Sequence, residues 1–250
     1  MTQVRTSVAS GRPWAPRARR LRAPFTPVYG SPMRCVAALS VSIALLYSAA
    51  SAAGTWRLDL MPLPRSALGP GTAALVLAPE SGVASNAYAA HDAGHGFTAA
   101  DLAKRGRITG YVLDYVLPIA TVPQTRHALL GVRTIAELYR GRATAMRGLA
   151  FWRGVTQQLS GRHADGITVA VSAFSARVGD GSFAFELTAR RAGQPLYYVG
   201  DVVFRIGRLL GSVFVSATDS IGLRARTLHL ADSLARRIDR VMTGQIRAIR

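Results

Sequence analysis

A chain of 250 residues, 49% of them hydrophobic, can bury one substantial core beside a leader and does not require two large domains. Its 31 basic and 13 acidic residues give a formal net charge of +18, which points toward acidic partners such as anionic lipid, cell-wall polyanions or nucleic acid. The single cysteine, Cys35, precedes the main body, so disulfides, thiol catalysis and cysteine-based metal sites are excluded from it.

The charge is broad. Lys104 is the only lysine, and the seven arginines of the first 53 residues are unopposed, leaving 24 basic against 13 acidic residues, or +11, in the remainder. Ala, Gly, Arg and Val dominate throughout, so high-GC codon pressure accounts for the arginines ahead of a dedicated polyanion site. No tight arginine–aromatic stripe marks the folded part, and nucleic acid is not expected as a partner.

Residues 1–32 are rich in Arg and Pro and read as a basic extension upstream of a start at Met33, with a disordered cytoplasmic arm as the alternative. Met33-Arg34-Cys35 and the apolar run Val36–Leu46 then form the n- and h-regions of a signal peptide over 33–53. The small residues Ser48–Gly54 place cleavage after Ala52 or Ala53. Val36–Ala53 is also about the shortest run that spans a bilayer, so an uncleaved anchor is the competing reading. Cys35 lies before the apolar run and cannot serve as a lipobox cysteine.

Residues 54–96 mix Pro and Gly with one short apolar run, Ala73–Leu77, and read as an extended lead-in with a single short strand. Residues 97–250 make up the folded domain. Thr98-Ala-Ala-Asp101 has the capping-box spacing, with Asp in the place of Glu, and opens a short helix to Arg105. Arg107–Val116 and Ala128–Tyr139 read as antiparallel partners joined by a turn over 118–126. Ala145, Leu149, Trp152, Thr156 and Leu159 share one face of a helix that Gly161 stops.

Ile167–Ala176 alternates as a strand and leads into a three-strand meander over Gly179–Ala217. Phe183, Phe185, Leu187 and Ala189 point to one side and Ala184, Glu186, Thr188 and Arg190 to the other, the period of two that marks a strand. Arg191–Pro195 supplies turn chemistry, because Gly193 permits positive φ and Pro195 cannot donate to a ladder. Leu196–Ile206 is apolar on both sides and is expected at the sheet centre. Gly207-Arg208 suits a two-residue hairpin into Leu209–Ala217.

A closing helix is expected over Leu223–Ile249, with Leu228, Ala231, Leu234, Ile238, Val241, Gln245 and Ile249 inward and an Asp232–Arg236 pair outside. The expected fold is α+β: one twisted antiparallel sheet of about six strands, with a mid-chain helix and a long C-terminal helix packed against it.

GRITGYVLDY (106–115), VRTIAELYRGRATAMRGLAFW (132–152), VGDGSFAFEL (178–187) and VVFRIGRLLGSVFV (202–215) together resemble a group of exported proteins from high-GC Gram-positive bacteria. The group comprises extracytoplasmic sensor-like domains of the mycobacterial kinase-sensor and lipoprotein type. The resemblance covers about Leu68–Ile249 and implies a sandwich of a sheet and helices; it marks turns and core faces rather than chemistry. The kinase-sensor domains carry disulfides and the lipoproteins a lipobox, both lacking here. No catalytic residue follows from the resemblance.

Candidate chemistry is sparse. His91, Asp92 and His95 could begin a metal site, with His127 or His163 as a third nitrogen, but Gly94 and Gly96 favour a solvated loop. No Gly-x-Ser-x-Gly elbow or phosphate-cradling glycine pattern occurs, and the three glutamates show no paired spacing for acid–base work. Asp180 reads as a turn residue bonding its own backbone, with proximity to Asp201 across the hairpins as the alternative.

The expectation is therefore a non-enzymatic, exported domain with no cofactor, binding a small or lipid-like ligand or an envelope partner between sheet and helix. Tyr111, Tyr115, Trp152, Tyr197 and Tyr198 are the candidate groove residues, with core packing as their competing role. The alternative function is an arginine-rich binder of anionic envelope polymers or lipid head groups.

Overall fold

A computed structural model of the chain describes residues 56–93, 96–118, 128–161, 163–164 and 166–245. The basic extension, the signal peptide with its cleavage site, all but the first residue of the turn expected over 118–126, His95 and His127 lie outside those residues, as does the side chain of His163. No helix among the described residues is long and apolar enough to cross a membrane.

The elements run β1 (Val76–Leu77), β2 (Gly82–Ala84), α1 (Asn86–Ala93), α2 (Ala99–Lys104), β3 (Arg107–Val116), β4 (Leu129–Tyr139) and α3 (Arg142–Gln157). They continue with β5 (His163–Ala164), β6 (Ile167–Phe174), β7 (Gly181–Arg191), β8 (Gln194–Ile206), β9 (Leu209–Ala217) and α4 (Leu223–Met242). All strands join one antiparallel sheet in the order β1-β3-β4-β9-β8-β7-β6-β5, and β2 also pairs with β3. The fold is α+β, as expected. Six strands are long, and the extra ones are two- or three-residue segments too short to show any period.

The meander forms with β8 central. Its first turn is tighter than expected: Arg191 faces Gln194 across Ala192 and Gly193, whose φ values of 49° and 79° suit a twisted hairpin. Pro195 is not part of that turn. It sits within β8 opposite Arg190, where a register shift spares the missing N–H. Asp180 accepts from the Arg205 guanidinium and the Gly207 amide, both at 2.9 Å, rather than from its own turn.

The two long helices take opposite faces of the sheet. On one face α4 lays Leu230, Ala231, Leu234 and Ile238 onto Val202, Phe204, Val213 and Val215. The lead-in fills the remainder of that core with Met61, Leu63, Leu68 and Leu75. Helix α4 is shorter than expected, because Thr243 caps it and Gly244 turns left-handed at φ 74°. Arg236 donates to Ser233 at 3.1 Å in place of the expected partner Asp232.

The other face carries α1, α2 and α3. The lead-in is thus richer than one strand, since α1 follows β2 directly and Ser85 accepts from the Tyr88 amide at 3.1 Å. Helix α2 opens on the capping box foreseen at Thr98, with Asp101 accepting from the Thr98 amide at 2.9 Å. Phe97 meets Phe151 edge-on with centroids 5.0 Å apart, and Arg105 lies 4.2 Å from the Phe151 ring, tying the approach and end of α2 to α3.

Candidate functional site

Register decides which side chains reach the face under α1 and α3. One row across the sheet runs Asp114, Arg133, Phe214, Asp201, Phe185, and the next runs Val112, Ile135, Ser212, Val203, Phe183. A third row brings Gly110 beside Glu137. Arg107 joins this side through a bulge, because the pairing slips between Arg107 and Thr109 and leaves Ile108 as the extra residue. Without that slip the alternation from Gly110 would send Arg107 to the α4 face.

Arg107 is 2% exposed, and every arm of its guanidinium is engaged. Nε donates to Glu137 Oε1 at 2.8 Å, Nη1 to Asn86 Oδ1 at 2.8 Å, and Nη2 to the Ala84 carbonyl at 2.9 Å. Glu137 is completed from the other side: Tyr139 Oη and Trp152 Nε1 each donate to its Oε2 at 3.2 Å. Burial and the Glu137 charge raise the Tyr139 phenol well above its ordinary range. Two glycines make room. A Cβ at Gly110 would lie 2.9 Å from Arg107 Nη2, and one at Gly148 would lie 2.6 Å from the Tyr139 ring.

Above this network lies a recess of about 60 Å³ that opens to solvent, roofed by Tyr88, Ala89 and Asp92 of α1 and by Trp152 and Thr156 of α3. Ile135, Val203, Ser212 and Phe214 form its floor, Arg107 and Glu137 close one end, and Asp201 lines another side. At the mouth Arg133 donates to Asp92 and Asp114, each at 2.8 Å. Burial alone would lower the Arg133 guanidinium, but the two carboxylates carry it above its ordinary value.

Asp201 differs from every other acid around the cleft. It is 1% exposed, and its Oδ1 has no hydrogen-bond partner among the described residues. The Thr156 hydroxyl bonds the carboxyl, yet burial dominates and lifts its pKa to about 8. At neutral pH it is therefore a neutral carboxylic acid able to donate or accept. A buried polar oxygen left open costs about 1–3 kcal/mol unless something else meets it.

Of the aromatics expected to line a groove, Trp152 lines this cleft. Register puts Tyr111 and Tyr115 on the α4 face, where Tyr115 is buried in the main core and Tyr198 packs beside it. Tyr197 is 39% exposed near the distal end of β8. His91 and Asp92 stand on helix α1 rather than in a loop; Asp92 is engaged by Arg133, and His91 is exposed. No group of three metal-ligating side chains occurs among the described residues.

Sequence reasoning missed Arg107, Asn86, Thr156 and Ser212 and gave Asp201 no role of its own. A signal for Asp201 exists: one acid in the run Val199–Phe204, apolar on both sides, with no cation in that run to balance it.

No protein-family model matches the chain, and no curated protein matches it. Among solved structures, the chain is similar to the extracellular domain of PknH from Mycobacterium tuberculosis at 12% identity and a TM-score of 0.49, over 75% of this chain and 95% of that one.

Proposed function

We propose that the chain is a non-enzymatic extracytoplasmic domain that binds a small, largely apolar molecule in the cleft beneath α1 and α3. One observation carries this reading: Asp201, whose Oδ1 is buried and unmet, lines an apolar recess that opens to solvent. Such recesses with one or two oriented polar groups are the usual form of small-molecule sites. The arginine, glutamate and tyrosine around it bond one another and serve as scaffold. The leader over 33–53 supports a place outside the cytoplasm.

Binding is tested by calorimetric titration of the full chain with benzyl alcohol as a neutral apolar probe. Saturable binding that Ala89→Leu weakens by filling the cleft is the expected result; no saturation overturns the reading. Export is tested by sequencing the N-terminus of secreted protein, which should begin after Ala52 or Ala53. A mature chain starting at Met33 would refute cleavage.

The second reading, an electrostatic binder of anionic envelope polymers or head groups, rests on Arg236 and Arg240, which are exposed on α4. Asp232 and Asp239 are exposed on the same helix and dilute that charge, which favours the cleft. Salt separates the two: polyanion affinity falls steeply between low and moderate ionic strength, and cleft binding does not.

A further inference from the structure

The pairing of charges around the cleft narrows the class of ligand. The cation lining the cleft and the one at its rim are both taken. Arg107 is held by Glu137, Asn86 and the Ala84 carbonyl, and Arg133 by Asp92 and Asp114. An incoming carboxylate or phosphate would find no free guanidinium. Among the described residues lining the cleft, the buried ionisable group with an unmet atom is an acid, Asp201, whose Oδ1 has no partner. The walls beside it carry the aromatic rings of Trp152, Phe214 and Tyr88, and aromatic rings attract cations through their quadrupoles. In a chain of net charge +18 the cleft is thus a local acidic island.

We propose that the cleft binds a small organic amine, an apolar body bearing a cationic nitrogen, with Asp201 as its counter-ion. This rests on the cleft-binding reading and specifies its chemistry. The ammonium donates to Asp201 Oδ1 while its apolar body lies over Ile135 and Phe214. The carboxyl proton leaves to solvent as the ammonium arrives, so the buried charge is balanced by the ligand.

The other ionisable groups lining the cleft are Tyr88 and Asp92 from α1, Arg107 from β3 and Glu137 from β4, with the Asp114–Arg133 pair of β3 and β4 at its rim. Helix α3, β7 and β9 bring no charged side chain to it. Tyr88 is raised by burial, and Arg107 and Glu137 bond each other, so Asp201 is the group that titrates on binding. Because its pKa is about 8, binding at neutral pH releases close to one proton.

The test compares benzylamine, benzyl alcohol and benzoate, three probes of one shape, by calorimetry on the full chain in buffers of different ionisation enthalpy. Benzylamine should bind about tenfold tighter than the alcohol and more tightly still than benzoate near neutral pH. Its affinity should rise roughly tenfold per pH unit from about pH 6 to about pH 7.5, with proton release, while the alcohol shows no such rise. Asp201→Asn should erase the amine preference and the pH slope and leave benzyl alcohol bound.

Equal or tighter binding of the alcohol or of benzoate overturns the amine assignment and leaves the cleft reading standing. Binding by none of the three overturns both. The pH slope and proton release are read on the unaltered protein, so the assignment stays falsifiable even where Asp201→Asn does not fold.

Discussion

The two faces of the sheet solve the same packing problem in different ways. Under α4 the core is apolar, and its buried polar groups are met locally: Thr227 donates to the Leu223 carbonyl at 2.8 Å, and Thr134 accepts from the Leu63 amide at 3.1 Å. Under α1 and α3 lie Arg107, Asp114, Glu137, Asp201 and Arg205, the buried charged residues among the described ones. An apolar contact gains free energy from area alone and tolerates no opening, whereas a polar layer needs directed partners and can leave a space between them. The comparison teaches that one face holds the domain together and the other holds a recess open.

The sharpest way to break the comparison is to strand a charge on the polar face. Glu137→Ala leaves Arg107 buried without its carboxylate and should cost about 3–5 kcal/mol in a urea titration. Replacing the pair together, with Arg107→Met and Glu137→Leu, should recover most of that loss. Failure to recover would show that Asn86 and the Ala84 carbonyl contribute more than the pair itself.

On the apolar face, Leu234→Ala removes a fully buried side chain and should lower stability by about 3 kcal/mol, with benzyl alcohol affinity unchanged. A weakened probe affinity would mean that the faces communicate through β8.

Smaller for each pH unit is a slope in stability. Asp201 has a folded pKa of about 8 against an unfolded value near 3.9, so between them the folded state holds the extra proton. Its contribution is therefore full at low pH and fades as pH rises toward about 8, by up to about 1.4 kcal/mol per pH unit. Asp201→Asn should flatten that part of the profile; a slope identical to the parent would remove Asp201 as its source. The smallest expected effect is the coupling between Leu234→Ala and Asp201→Asn, which should be within about 0.5 kcal/mol because the sites face opposite ways.

Much of the scaffold was legible from residue order. Phe183 to Ala189 and Leu196 to Ile206 each keep one period over many residues, and such runs leave a strand no alternative. Thr98 and Asp101 were legible because a cap is a local bond between near neighbours. Helix α1 was not, since its eight residues carry little amphipathic signal and are held by packing of Ala89 and Ala90 against Leu102. The groove aromatics failed for a different reason. Tyr111, Tyr115 and Trp152 are equally apolar in sequence, and only the side of the sheet each one meets separates a core residue from a wall residue. Asp201 gave a readable signal, an uncompensated acid in a buried strand, but its open oxygen depends on α3 supplying Thr156 and nothing more charged.

The slip at Ile108 has a consequence for how sequence change can reach this domain. Losing one residue between Arg107 and Gly110 removes the slip and leaves the two at a spacing of two, so plain alternation keeps the guanidinium on the polar face beside Glu137. A single-codon deletion of the extra residue Ile108 thus straightens the strand without moving the arginine off its face. When other chains are set beside this one, the spacing from the arginine to the glycine that receives it is more informative than the residues lying between.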